Sequence, residues 1–330
     1  MENTQNQAAT PSPEVSHSAV EPNTPMNTPI SAVSPVLTDP KAISAARRLY
    51  DYLWEMKGKG ILSGQQELPL DRNQGEELRY ILKTTGQQPA ILGLDYISND
   101  FQGVNQRAKL WYEKGGIVSI CWHWGIPPHG SGYLSSKESV DLAELLTPGT
   151  SLHAGLLENL DRTAAALKEL CDQGIPVLWR PLHEFDGDWF WWGKGGSAAF
   201  VQLWRLMYKR YTEVHQLHNL IWVLGYSGEK GEGYYPGDAY VDIIGCDCYS
   251  EGIHEDLYEW VLKQTDKPMP LCHHENGPIP EPGLLKAKNI AWGWFLTWHT
   301  IHIHEQNSPE YLSYVYNHPY VINLKDLPRL

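Results

Sequence analysis

Apolar residues gather along this chain into eight short, nearly continuous runs. They are Ile61–Gln66, Pro89–Tyr96, Gly116–Trp124, Ile175–Glu184, Leu220–Ser227, Val241–Tyr249, Met269–Gly277 and Trp292–Thr300. A strand with one wet face alternates apolar and polar positions, whereas a strand covered on both faces does not. These runs therefore read as parallel strands sandwiched on both sides. Between them the period lengthens to that of a helix. Leu152–Cys171 carries apolar residues at three- and four-residue spacing, and Gly174 just beyond supplies a stop. Ser197–Leu217 keeps the same period and opens on a Ser that predicts an N-cap. Shorter helices are predicted at Gly75–Lys83, Asn105–Lys114, Asp256–Gln264, Gly283–Asn289 and Ser308–His318. Ala42–Lys57 predicts a helix ahead of the first strand, placed to cover a barrel floor. Between the fifth and sixth runs, Glu229–Tyr240 (EKGEGYYPGDAY) is too Gly-rich and too short for a full helix.

Eight strands alternating with helices predict an α/β fold, a single (β/α)8 barrel. The rival is a doubly wound open sheet, which should carry a Gly-rich phosphate turn after an early strand, and none is present. Residues 1–37 do not share the pattern. Pro, Ser, Thr, Asn and Gln dominate there, aromatics are absent, and the apolar residues show no period. Such a segment buries too little surface to offset its ordering entropy, so a disordered leader or linker is expected, with the barrel over 38–330. The remaining length, roughly 290 residues, is typical of one α/β barrel. The leader lacks the charged-then-apolar pattern of a secretion signal and fits a tether from an anchor or a second module.

Composition narrows the function. The net charge is -13 and no Lys/Arg run suggests a phosphate backbone as partner, so nucleic-acid binding is not expected. No apolar stretch reaches the roughly 18 residues of a membrane-spanning helix. Five Cys at spacings that suit neither a zinc ribbon nor a disulfide framework read as buried free thiols. The 14 Trp and 18 Tyr stand out beside 5 Phe. Flat rings with a polar handle suit a partner that is both apolar and hydrogen-bonding, as the faces of pyranose rings are.

In a barrel of this kind, reactive residues stand at the C-terminal ends of the strands. Those ends carry Gln65, Gln66 and Glu67; Asp95 and Tyr96; Trp122, His123 and Trp124; and His183 and Glu184. Beyond them come Asp247 and Tyr249, then His274 and Glu275, and finally Trp298 and His299. Glu184 and Glu275, three strands apart, would face each other across the cavity. Glycoside hydrolysis needs such a carboxyl pair, about 5–5.5 Å apart where configuration is retained. One must hold a proton near neutral pH and the other must be ionised. The loop after Glu184 carries Trp189, Phe190, Trp191 and Trp192 in succession. That cluster would be a costly exposed patch without a sugar partner or a helix to pack against.

The segment WRPLHEFDGDWFWWG (Trp179–Gly193) resembles glycoside hydrolase family 26, best known for endo-β-1,4-mannanases. The segments LSGQQE (Leu62–Glu67), ICWHWG (Ile120–Gly125), CDCYS (Cys246–Ser250), HHENGP (His273–Pro278) and FLTWH (Phe295–His299) resemble family segments in the same order. The resemblance implies Glu184 as acid/base and Glu275 as nucleophile. It implies that His123 and His183 hydrogen-bond the sugar at the cleavage point and that Tyr249 contacts the nucleophile. It also implies Trp189 and Trp298 as sugar platforms, and we add Trp124 and Trp192 as candidate substrate contacts. Phe185 and Asp186 depart from the residues usual after the acid, and His274 is an extra His beside the nucleophile. No metal or organic cofactor is required. The implied partner is a β-mannan-type polysaccharide, which would place the protein outside the cell or at its surface, and a monomer is expected.

Three rivals remain. His302 and His304 have the spacing of a metal pair, which would make a metal-dependent hydrolase. A carbohydrate-binding barrel without catalysis would be expected to have lost one carboxyl. A sister enzyme would cleave mixed-linkage β-glucan or β-1,3-xylan, a choice set by contacts to the sugar 2-OH that spacing does not place.

Overall fold

The computed structural model describes residues 36–69 and 75–330, so nearly all of the expected leader lies outside the described residues. Leu37, assigned to that leader, is buried, and the packed chain therefore begins one residue earlier than expected.

Eight parallel strands close into a barrel: β1 Ile61–Gln66, β2 Ile91–Asp95, β3 Ile117–Trp122, β4 Val177–Pro181, β5 Leu220–Tyr226, β6 Ile243–Cys248, β7 Leu271–Asn276 and β8 Trp294–Thr297. Each neighbours the next, and β1 pairs with both β2 and β8. A short β9, Val321–Ile322, adds to the start of β1. Almost every strand residue is buried, as unbroken apolar runs require of a sheet with two covered faces.

Eight helices follow the predicted intervals: α1 Ser44–Glu55, α2 Glu76–Thr85, α3 Phe101–Glu113, α6 Ser151–Asp172, α7 Gly196–Lys209, α8 Glu255–Leu262, α9 Pro282–Lys288 and α11 Pro309–Tyr316; three short ones, α4 Gly132–Ser136, α5 Leu142–Leu145 and α10 Ile301–His304, fall where no helix is predicted. Two details of α7 differ from expectation. The cap of α7 is Gly195, with Ser197 inside the first turn, and the helix gives way at Arg210–Val214 to a π-helical turn. The Glu229–Tyr240 interval forms no helix, so β5 runs to β6 through a loop.

Two apolar layers hold the barrel. The outer one packs the strands against the ring of helices and takes in most of the Trp residues. The inner one is filled at the N-terminal ends of the strands by Leu62, Ile91, Ile117, Leu178, Ile221 and Ile243, and there it meets α1. Ala46, Leu49, Tyr50 and Leu53 of α1 are the stopper, and the Tyr50 hydroxyl donates to the Asp242 carbonyl at 3.2 Å. The floor is thus closed with apolar groups, and the polar interior is confined to the opposite end.

β7 breaks the regular alternation. Cys246 pairs with His273 but Asp247 pairs with Glu275, so one extra residue, His274, is inserted against β6. The same insertion shows against β8, where His273 pairs with Phe295 and Asn276 with Thr297. A bulge of this kind re-aims a side chain. Here consecutive residues both face the interior: His274 reaches Ser119 and Glu275 reaches Arg180, each on an inner face.

Candidate active site

A cavity of about 650 Å³ opens at the C-terminal ends of the strands, and Asp95, His123, Glu184, Tyr249, Glu275 and Trp298 are among the residues that line it. Both candidate carboxyls therefore reach one space. A carboxylate oxygen of Glu184, one of Glu275 and one of Asp247 lie within 4.8 Å of one another.

Glu184 arrives there through an unusual backbone. Leu182 and Glu184 both take the left-handed conformation, with φ of 52° and 51°, around His183. Such conformations cost non-glycine residues energy and persist only where the surroundings enforce them. The enforcing contact is the Glu184 N–H, which donates to the Gly225 carbonyl at 2.8 Å. Burial, and then the charge of Glu275, push the Glu184 carboxyl up to about 7, against the Arg180 cation and the Trp189 indole, which donates to its Oε2 at 2.8 Å.

Glu275 sits in a different environment. Its Oε1 accepts from Arg180 Nη1 at 2.6 Å, its Oε2 accepts from the Tyr249 hydroxyl at 2.6 Å, and its N–H donates to Asp247 at 3.1 Å. Arg180 is fully buried and also pairs with Asp247. A Cβ at position 225 would stand 2.7 Å from Arg180 Nε, so a glycine in β5 is what leaves room for the guanidinium.

A second polar chain runs along the cavity wall. Asp95 accepts from the His123 backbone N–H at 3.0 Å and bonds its Nδ1 at 2.5 Å, while His123 Nε2 lies 3.2 Å from His183 Nε2. Burial opposes protonation of His123, but the Asp95 carboxylate outweighs it and raises the imidazole pKa. His183 is driven well below the ordinary range by burial and then by Arg180, so it is neutral. It stands behind the wall, 4.0 Å from Glu275 Oε1.

The aromatic predictions divide. Trp298 lines the cavity, and so do Phe190 and Tyr133. Trp189 is half-buried and is spent on the Glu184 contact, outside the cavity lining. Trp124 and Trp192 do not reach the cavity, which corrects the expectation that they contact substrate. Trp124 stacks on Trp122 at 4.3 Å and donates to Asn159; Trp192 stacks beneath Phe190 at 4.5 Å and donates to the His183 carbonyl at 2.8 Å. Both are wholly buried, because an indole with its N–H satisfied is cheaper inside than at a wet rim.

Several participants carried no assigned role in the sequence. Arg180 lies inside the quoted RPLHE block, and its signal is a lone cation within an otherwise apolar strand. Tyr133 lies in the short α4, within a stretch that has no readable pattern in the sequence. Asp186 points neither to solvent nor to Glu184: its oxygens accept the N–H groups of Ser227 at 2.7 Å and Gly231 at 3.1 Å, tying the loop after β4 to the loop after β5. His274 is a barrel-interior residue between Ser119 and the Trp294 indole, and burial, then Arg180, keep it neutral. The His302/His304 pair does not converge: His302 bonds Gln306 and His304 bonds Glu76.

No helix among the described residues is long and apolar enough to cross a membrane. Comparison with known proteins places this architecture. A mannan endo-1,4-β-mannosidase of Thermothelomyces thermophilus is 36% identical over 314 residues, 88% of this chain and 63% of that protein. A Piromyces mannan endo-1,4-β-mannosidase B is 35% identical over 90% of this chain and 54% of its own length. The chain thus spans between half and two thirds of these relatives. Among solved structures, the Podospora anserina GH26-CBM35 β-(1,4)-mannanase superposes with a TM-score of 0.80 at 33% identity, covering 94% of this chain and 71% of that one. A β-mannanase from a symbiotic protist of the termite Reticulitermes speratus, complexed with gluco-manno-oligosaccharide, gives 0.83 at 30% identity over 89% and 98%. The model of glycosyl hydrolase family 26 matches residues 38–326, nearly the whole barrel, and with both glutamates at one cavity the chain belongs to that family.

Proposed function

We propose that the protein is a retaining endo-β-1,4-mannanase that cleaves mannan, glucomannan or galactomannan with Glu184 as acid/base and Glu275 as nucleophile. The observation that carries this reading is the asymmetry of two carboxyls whose oxygens approach within 4.8 Å. That separation suits direct attack, which needs about 5–5.5 Å, and leaves no room for the intervening water of an inverting site at about 6.5–9.5 Å.

Glu275 is held by Arg180 and Tyr249 with its charge compensated, and it attacks the anomeric carbon from one face. Glu184, raised to about 7, protonates the departing glycosidic oxygen from the other. A glycosyl ester forms on Glu275. Glu184, now ionised, then takes a proton from a water that attacks the same carbon, and the second displacement restores configuration. His123, oriented by Asp95, hydrogen-bonds the sugar hydroxyls, and Trp298 offers its ring to a sugar face. The relatives named above are mannan endo-1,4-β-mannosidases, which supports mannan over other β-glycans. A polymeric plant-type substrate argues for action outside the cell, with residues 1–36 as a leader and 37–330 as a monomeric catalytic barrel.

The test is reducing-sugar release from glucomannan, galactomannan, mixed-linkage β-glucan and β-1,3-xylan, with Glu275→Ala as blank. Cleavage confined to the mannans and lost in the variant is expected. Azide should restore turnover of an activated aryl glycoside by that variant, with inverted product. Cleavage of another polymer would change the substrate, and unimpaired Glu275→Ala would end the nucleophile assignment.

A further inference from the structure

Beneath the cavity wall lies a third potential ligand beside the Asp95–His123 pair: Cys121, on the inner face of β3. Its thiol, an Asp95 oxygen and a His123 ring nitrogen lie within 4.8 Å of one another. Among the described residues one other such cluster occurs, that of Glu184, Asp247 and Glu275. Arg180 is already seated in that one, paired to both Asp247 and Glu275, so it is neutralised from within. The Asp95–Cys121–His123 group contains no Lys or Arg.

We propose that Asp95, Cys121 and His123 form an inhibitory site for a soft divalent cation, with Cd2+ and Hg2+ as the strong ligands and Zn2+ as the borderline one. Thiolate, imidazole and carboxylate together are a donor set that such ions accept, and three protein ligands leave a fourth position toward the cavity. Entry is open on that side, because Asp95 and His123 themselves line the cavity while Cys121 closes the back. Ligand atoms around a tetrahedral ion stand roughly 3.5 Å apart, so the Asp95–His123 Nδ1 pair, 2.5 Å apart here, must open by about 1 Å while the Cys121 sulfur closes in by about 1 Å at most. Hard cations are disfavoured. Hard cations take oxygen ligands, whereas this set offers one carboxylate beside a sulfur and an imidazole nitrogen, so an ion that bonds strongly to sulfur is favoured.

The cation bonds to sulfur and the thiol proton leaves to solvent. The metal takes the Nδ1 lone pair of His123, whose remaining proton sits on Nε2 and points to the neutral His183. Where His123 enters as the imidazolium, its Nδ1 proton also leaves. No electron is transferred. The imidazole is thereby withdrawn from any sugar in the cavity, and the Asp95 bond that orients it is lost.

The binding arm does not depend on the proposed activity, so failure of one is separable from failure of the other. Titration of the reduced full-length protein with Cd2+, followed by calorimetry and by the ultraviolet thiolate-to-cadmium charge-transfer band, should give one site per chain. Cys121→Ala and Cys121→Ser should retain mannan turnover without metal, weaken Cd2+ binding at least about tenfold and raise the inhibitory concentration equally. Cys248→Ser is the control, since Cys248 is a half-buried thiol lowered to about 7 by His254 and Ser250 despite burial. Unchanged Cd2+ affinity in both Cys121 variants, or loss of the band in Cys248→Ser alone, would overturn the proposal. Should Cys121→Ala fail to fold, the Ser variant, close in size, carries the test. A wild-type chain with no charge-transfer band under saturating Cd2+ would end it without any variant.

Discussion

Three carboxyls within 4.8 Å of one another are costly to ionise together, and burial and their mutual charge push up both Glu184 and Asp247. Glu275 has a guanidinium and a phenol on its two oxygens, while Glu184 has one indole N–H and faces the charge of Glu275. Raising its pKa from 4.5 to about 7 means that the folded chain binds this proton more tightly than the unfolded chain does. The stability so gained is fully present below 4.5 and is lost as pH rises to about 7. Two outcomes follow. If Glu184 is the proton donor proposed above, the rate of mannan hydrolysis should fall as pH rises through about 7, where its proton is lost. Glu184→Gln should remove that limb together with most of the turnover of unactivated substrates. Its denaturation midpoint should also lack the decline that the wild type shows between 4.5 and about 7. A basic limb that survives in the Gln variant would assign it to another group.

At the level of elements, the site depends on loops being held to strands. The turn that carries Glu184 is strained at two residues and is fastened by one backbone hydrogen bond to β5. Asp186 supplies the second fastening, accepting two N–H groups from the loop that leaves β5. In Asp186→Ala those donors lose their partner, and a loss of about 1–3 kcal/mol in urea unfolding is expected. The mannan kcat should fall while KM changes little, because the variant loosens Glu184, the proposed proton donor, and leaves the cavity lining intact. Asp186→Asn, which keeps one acceptor oxygen, should recover part of both. The bulge in β7 has a similar consequence on the opposite wall: were β7 to keep strict alternation through His274, Glu275 would point outward into the helical layer.

At the scale of the whole molecule, chemistry and support are at opposite ends of one barrel. The apolar floor, stoppered by α1, can be weakened without touching the cavity. Leu49→Ala should lower stability by about 2–5 kcal/mol, as for other buried leucines, with kcat unchanged at temperatures where the variant stays folded. A fall in kcat matching the fall in stability would show that the two ends are coupled.

Strand number, helix order, the cap at the floor and the two rim glutamates were legible in the chain itself, because each rests on local periodicity or on position at a strand end. Ile61–Gln66 has the same bounds in the structure, and the other seven runs shrink by one to five residues, since apolar composition continues past the last ladder pair. Burial against distant partners was not legible. Trp124, Trp189 and Trp298 share one residue type and sit near strand ends, yet one is packed inside, one holds Glu184 and one lines the cavity. Nothing within a few residues of each distinguishes them, because the deciding neighbours come from other strands. The same is true of Arg180, which joins β4 to Asp247 on β6 and Glu275 on β7, and of His274, whose insertion is visible only against the register of β6 and β8. Sequence determined which groups stand at the rim. The closed barrel decided which of them meet, because pairing across a cavity is set by shear and register that no single segment contains.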